Sequence, residues 1–146
     1  MFSNFDISGS GLTAQRLRMD VISSNIANVN TTRTEEGGPY RRKMPVFKAK
    51  NDSSFADIMK NRLGSADGGS GNGVEVEAIV EDETPLRRVY RPEHPDADED
   101  GYLSLPNVDV VTEMVDMIEA SRAYEANISA LDTTKNMAMQ AIQMGS

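Results

Sequence analysis

From Val108 to Met144 the chain contains neither glycine nor proline, a run that permits a single helix about 55 Å long at 1.5 Å rise per residue. No other feature constrains the fold as strongly, because a helix of that length must bury its apolar side against something. One heptad register places Val110, Met117, Tyr124, Leu131 and Ala138 at one seam position, with Met114, Ser121, Ile128, Lys135 and Ile142 at the other. Eight of these ten are apolar, the pattern of a helix-to-helix seam. Asn107, just after Pro106, is the expected N-cap, with Asp109, Glu113 and Asp116 at the positive end of the dipole. Glu119 with Arg122, and Asp132 with Lys135, stand at i,i+3 spacing for ion pairs. Gly145 marks the stop.

A second helix is predicted near the N-terminus. Between Leu12 and Val29 there is again no glycine or proline, after a Gly-Ser-Gly opening at 9–11. Phe5, Leu12, Met19 and Ile26 recur every seven residues, with Ile22 and Val29 at the complementary position. Gln15 interrupts the seam. A helix of about 18 residues is marginal alone in water, so both helices need packing partners. They can pair with each other, but Val111, Val115 and Ile118 form a further apolar stripe, and Met137, Met139 and Met144 crowd the C-terminal end. That surplus predicts helices from other subunits. A heterologous contact of this kind generates a ring or an open helical polymer.

The expected organisation is a discontinuous axial core, with residues 1–32 and 106–146 supplying its helices and 33–105 a middle of short strands and loops. The fold class is mainly α with a small β-containing middle, its terminal helices packed as a coiled-coil-like bundle. In the middle, 43–48 and the alternating 74–80 read as strands. Leu86 to Tyr90 reads as a further strand, Phe55 to Leu63 as a short helix, and Gly68 to Gly73 as a loop.

Composition bounds the chemistry. With no cysteine and His94 as the one histidine, thiolate catalysis and multi-histidine metal cages are excluded. A net charge of −8 argues against general nucleic-acid binding, which needs a basic surface. The local basic cluster Arg41, Arg42, Lys43, Lys48 and Lys50 is expected to pair with acidic neighbours. No stretch approaches the roughly 20 apolar residues of a membrane span, and the start carries no signal-peptide pattern.

Three local motifs invite chemistry. Asp96-x-Asp98-x-Asp100-Gly101 matches the start of an EF-hand loop, but its twelfth position is Asn107, and Pro92 and Pro95 deny the entering helix. A solvated acidic turn is the expectation, with His94 a loop residue within it. The glycines at 69, 71 and 73 precede a strand, not a helix N-terminus, and so make no phosphate cradle. The run from Ser24 to Thr32 holds Asn25, Asn28 and Asn30, poor helix-interior residues. It reads either as a fraying end leading into a turn or as an amide array satisfied by neighbouring subunits.

Residues 16–32 (RLRMDVISSNIANVNTT) resemble the N-terminal signature of bacterial flagellar rod and hook proteins. The stretches GGPYRRK at 37–43, VYRPEHPDAD at 89–98, and GYL through PNVDVV between 101 and 111 are similar to its proximal-rod branch. So are EMVDMI at 113–118 and SRAYEAN at 121–127. The resemblance covers nearly the whole chain. It implies a structural rod subunit of the flagellar basal body, not an enzyme, with no catalytic, metal or cofactor residues. The subunit would transmit torque and line the export channel, and would be exported without a cleaved signal. Its implied partners are itself, the rod proteins FlgB, FlgF and FlgG, the ring-junction protein FliE, and the rod cap FlgJ, with no nucleic acid and no membrane insertion. The residues expected at the assembly interface are Leu12, Met19, Ile22, Asn25, Ile26, Asn28, Val29, Val110, Met114, Met117, Tyr124, Ile128, Leu131 and Ile142. Alternatives are another axial (rod or hook-junction) subunit, or a calcium-dependent adaptor built on Asp96, Asp98 and Asp100.

Overall fold

The computed structural model describes residues 2–50 and 73–144. Two long helices, α1 (Phe2–Ala27, 26 residues) and α2 (Val110–Met144, 35 residues), flank four short strands. These are β1 (Lys43–Ala49), β2 (Val74–Glu81), β3 (Arg87–Tyr90) and β4 (Tyr102–Leu105). β1 pairs with β2 and β3 with β4, each as a separate antiparallel two-stranded sheet. The predicted helix over 55–63 lies outside the described residues, as does most of the 68–73 loop.

The helices run antiparallel. Gly11 lies against the Asn127 side chain near one end of their contact, and Asn25 meets Glu113 near the other. Between these points Ala14, Val21, Ile22 and Ala120 are buried. Small residues here bring the helix axes close, which explains a departure from the expected N-terminal boundary. α1 does not start after the glycines at 9–11 but runs through them. A Cβ on Gly11 would sit 3.1 Å from the Asn127 amide, so Gly11 gains from close packing what it costs in helix propensity.

The other end of the pair holds a second correction. Asn107 does not cap α2. Asp109 does, its carboxylate accepting from the Val111 N–H (3.2 Å) and the Thr112 hydroxyl (2.8 Å), as an N-cap does. Asn107 instead ties the middle together. Its Oδ1 accepts from the Arg42 N–H (2.8 Å), and its Nδ2 donates to the Asp82 carbonyl (3.1 Å) and the Thr84 hydroxyl (2.9 Å).

β1 and β2 follow the predicted segments closely, in a register from Lys43↔Glu81 to Ala49↔Val74 with an irregularity at Val46/Phe47. Both pack on α1. Ser10 in α1 anchors the start of β2 by accepting from the Val74 N–H (3.0 Å). β3 was foreseen, whereas β4 was not. β4 buries Leu103 and Leu105, followed by Pro106 and Val108, and so seats the chain entering α2.

Candidate assembly interface

The face of α2 turned towards α1 is not the more apolar one. Val110, Met117, Tyr124, Leu131 and Ala138 are half-buried, and between them Glu113, Ala120 and Thr134 are buried, with Asn127 half-buried. The packed face therefore combines the first predicted row with residues three positions on. The second predicted row, four positions on, turns outward except for the half-buried Ser121, and it includes the exposed Lys135. Met114 is 55% exposed, Ile128 is also exposed, and Ile142 is 73% exposed. Beside it, Val111, Val115 and Ile118 are exposed, and further along so are Met137, Met139 and Met144. Large exposed apolar side chains thus gather at the start of α2 and again at its end, with Ile128 alone between them among exposed charged and polar residues such as Arg122, Glu125, Asp132 and Lys135.

A polar joint forms where α1, α2 and β1 meet. Asn25 on α1 is 1% exposed. Its Nδ2 donates to the Lys43 carbonyl (2.8 Å) and to Glu113 Oε2 (3.0 Å). Its Oδ1 accepts from the Tyr40 hydroxyl and the Lys43 N–H, both at 2.9 Å. An amide offers two donors and two acceptor sites, so every valence is used. Glu113 is wholly buried, with its second oxygen accepting from Arg42 Nε. Arg42 also reaches Asp116 (3.2 Å) and Asp82 (3.8 Å). From α1, Arg18 reaches Asp116 (3.4 Å) and Glu119 (3.8 Å). A buried carboxylate is tolerated only when paired and hydrogen-bonded in this way.

Within the basic cluster Arg42 thus meets acidic partners, and Lys48 meets Glu77 (3.6 Å), whereas Arg41 donates to the Asp82 carbonyl and Lys43 stands over the Tyr40 ring. The joint also answers one of the two readings of the asparagine run. The Asn25 amide is satisfied inside the chain, not by neighbouring subunits. Asn28 turns back on the helix end, donating to the Ser24 carbonyl (2.9 Å) and accepting from the Thr31 hydroxyl (3.1 Å).

Of the other expected interface positions, Ile22 is buried, while Leu12, Met19, Ile26, Asn28 and Val29 are half-buried. Tyr124 extends its hydroxyl towards the Arg16 guanidinium. Sequence reasoning missed Glu113 as a packing residue, assigning it to the helix dipole, and missed Arg42 as its partner and Tyr40 as the support of Asn25. The one available signal was spacing: Glu113 lies three residues after Val110 and seven before Ala120.

In the acidic turn the carboxylates serve the backbone. Asp98 accepts from the Tyr102 N–H (2.7 Å), the Asp100 N–H (3.2 Å) and Arg88. The Tyr102 amide first, and then Arg88, hold its carboxyl below the usual carboxylate range. Asp96 accepts from the Thr32 hydroxyl (2.8 Å), tying the turn to the segment after α1. His94 Nδ1 accepts from the Asp96 N–H (3.2 Å). Among the described residues no helix is long and apolar enough to cross a membrane.

Comparison with known proteins fits this arrangement of paired terminal helices. Residues 5–33 match the family model described as flagella basal body rod protein, and 99–144 match that of the flagellar basal body rod FlgEFG protein C-terminal. The chain is 47% identical over 148 residues to the flagellar basal-body rod protein FlgC of Bacillus subtilis, covering 99% of this chain and 97% of that one. The FlgC of Borreliella burgdorferi is also 47% identical, over 97% of this chain and 95% of its own. That of Salmonella typhimurium is 40% identical over the same shares. The chain belongs to the flagellar basal-body rod protein FlgC family. Members of the FlgC family are structural rod subunits, and this chain is one, not an enzyme. The two family models cover both helices and β4, and so the helix seam; of the joint they include Asn25, Glu113 and Asp116 but not Tyr40, Arg42 or Lys43.

Proposed function

We propose that this rod subunit assembles through the apolar surface that α2 turns away from α1. Neighbouring subunits lay their helices along it, so that the terminal helices build the inner tube of a helical assembly and the strand-bearing middle lies outside. The tube transmits torque and lines the export channel. Its neighbours are further copies and the rod proteins FlgB, FlgF and FlgG, with FliE at the ring junction and the cap FlgJ during growth. The subunit reaches its place by export without a cleaved signal.

The observation that carries this reading is the outward row Val111, Met114, Val115, Ile118, Ile128 and Ile142, exposed along most of a 35-residue helix. Val111, Met114, Val115 and Ile118 lie together on the first turns, and an exposed apolar cluster of this kind marks an interaction surface. Within the expected set, Met114, Ile128 and Ile142 make the contacts, while Ile22 and Asn25 support α2 from behind.

The test is a Val115→Asp, Ile118→Asp double variant. Both side chains are half or more exposed, so helix content by circular dichroism stays at the wild-type level while recovery in purified basal bodies and motility are lost. Asp96→Asn with Asp98→Asn, as a control, leaves both near normal. Normal assembly of the stripe variant would remove this surface from consideration.

A further inference from the structure

α2 carries two faces that compete for α1. The inner one, seen here, contains a carboxylate (Glu113), an amide (Asn127) and a hydroxyl (Thr134) among its packed positions. The outer row offers Met114, Ser121, Ile128 and Lys135 at the corresponding points, four residues on instead of three, two of them large and apolar. Hydrophobic burial alone favours the outer face, since each large aliphatic side chain taken out of water is worth about 1.5–3 kcal/mol. A roll of α2 by about 100° about its axis, the angle between adjacent residues on a helix of 3.6 residues per turn, would exchange the two rows. Something opposes that roll.

We infer that Glu113, held by Asn25 and Arg42, is the positioning residue that selects the rotational setting of α2 and so keeps the apolar row facing outward. The geometry is specific. The two carboxylate oxygens are addressed by different elements, Oε2 by Asn25 of α1 and Oε1 by Arg42 just before β1. Asn25 is itself pinned by Tyr40 and by both polar groups of the Lys43 backbone. Rolling α2 would strand a buried amide whose four hydrogen bonds are complete, and would separate Arg42 from its buried partner. Leaving such groups unpaired is the costly step. A buried polar pair fixing register at the expense of stability is an established device in helix seams. Its use here is to hold the more apolar face in reserve for other subunits. The value of that reserve rests on the proposed assembly surface; the selection of the setting does not.

The chain's own methionines report the setting. Met114 is exposed on the outer row, and Met117 half-buried on the inner one. Brief peroxide oxidation of the full-length monomer, read by mass spectrometry, gives Met114 reacting several-fold faster than Met117 in the wild type. In an Asn25→Leu, Glu113→Leu double variant that bias disappears or inverts, while thermal stability is kept or raised. Glu113→Gln keeps one oxygen for Asn25 but presents an N–H group to Arg42 or its neighbours, and falls between the two. A double variant that folds with the wild-type bias overturns the inference. If the double variant does not fold, Glu113→Gln decides, and an unchanged bias there overturns it equally. Recovery in basal bodies is scored separately. Lost bias with normal assembly would leave the selection of the setting standing and remove the outward row as the assembly surface.

Discussion

Asp109 and Asn107 stand two positions apart and do different work. Asp109 caps α2, and its replacement by Ala loosens the first turn of that helix. Amide hydrogen exchange at Val111 and Thr112 rises in that variant. Asn107→Ala leaves those amides protected and exposes the Arg42 amide instead, since that is the donor it satisfies. The cap is also pH-dependent. The Thr112 hydroxyl first, and then the Val111 amide, hold the Asp109 carboxyl below its ordinary value of 3.8. A carboxyl lowered on folding contributes fully above its unfolded value and loses that contribution as pH falls through the folded one. Protection at the start of α2 is therefore constant above pH 5 and fades in acid below about 4, as exchange measured across that range will show. Gly73 offers a second check. At φ +110° its added Cβ would meet Ser10 Oγ at 2.2 Å, whereas Gly37 at φ +87° has open space around it. Gly37→Ala costs about 1–2 kcal/mol for the left-handed backbone alone. Gly73→Ala lowers the melting temperature further, because α1 and β2 must also separate.

At the scale of elements, the two helices were legible because a Gly- and Pro-free run with seven-residue periodicity has few other solutions. β1 and β2 were legible from their apolar content and alternation. The face of α2 was only half legible. Val110, Met117, Tyr124 and Leu131 were correctly set on the packed side, but their companions were read four residues on, where the aliphatics are, instead of three on, where Glu113, Ala120 and Thr134 lie. Periodicity measures apolar content and cannot see that Asn25, 88 positions away in sequence, neutralises the cost of burying a carboxylate. β4 has no counterpart among the predicted strands for a similar reason: Tyr-Leu-Ser-Leu becomes a strand by pairing with Arg87–Tyr90 across the intervening turn, a contact that local composition does not show. The element scale has its own prediction. The levels of Gly11 with Asn127 and Asn25 with Glu113 place the start of α1 opposite Asn136. The last eight residues of α2, Met137–Met144, overhang by about 12 Å. A chain ending at Asn136 keeps the helix pair, with thermal unfolding changed by no more than about 0.5 kcal/mol as for surface changes generally. It is absent from purified basal bodies. A clear loss of stability in the truncated monomer would mean that the overhang folds back on its own chain.

For the whole molecule, the proposed route of export carries a direct check. Mass spectrometry of the subunit in purified rods gives a chain that begins at residue 1 or 2, and a start near residue 20 would refute export with the N-terminus intact. The distribution of burial carries another. Ile22 is 4% exposed between the helices, so Ile22→Asp places an uncompensated charge inside and costs the monomer about 3–5 kcal/mol. The loss appears in the isolated chain, before any assembly is scored. That separates it from Val115→Asp with Ile118→Asp, which spares the monomer. The two variants thus distinguish the surface that holds one chain together from the surface proposed to hold many.

The antiparallel pairing of the two chain ends also sets an order of events in time. Whenever this polypeptide emerges N-terminus first from a narrow passage, α1 comes out long before the segment that covers it. Its Asn25 has no Glu113, and its Gly11 no Asn127, until the last quarter of the chain is free. Contacts so distant in sequence form late, since a large loop must close before any of them is rewarded. A helix of 26 residues with no partner is a weakly structured thread in the meantime. On such a passage the molecule would stay threadable for most of the interval and acquire its shape at the end of it.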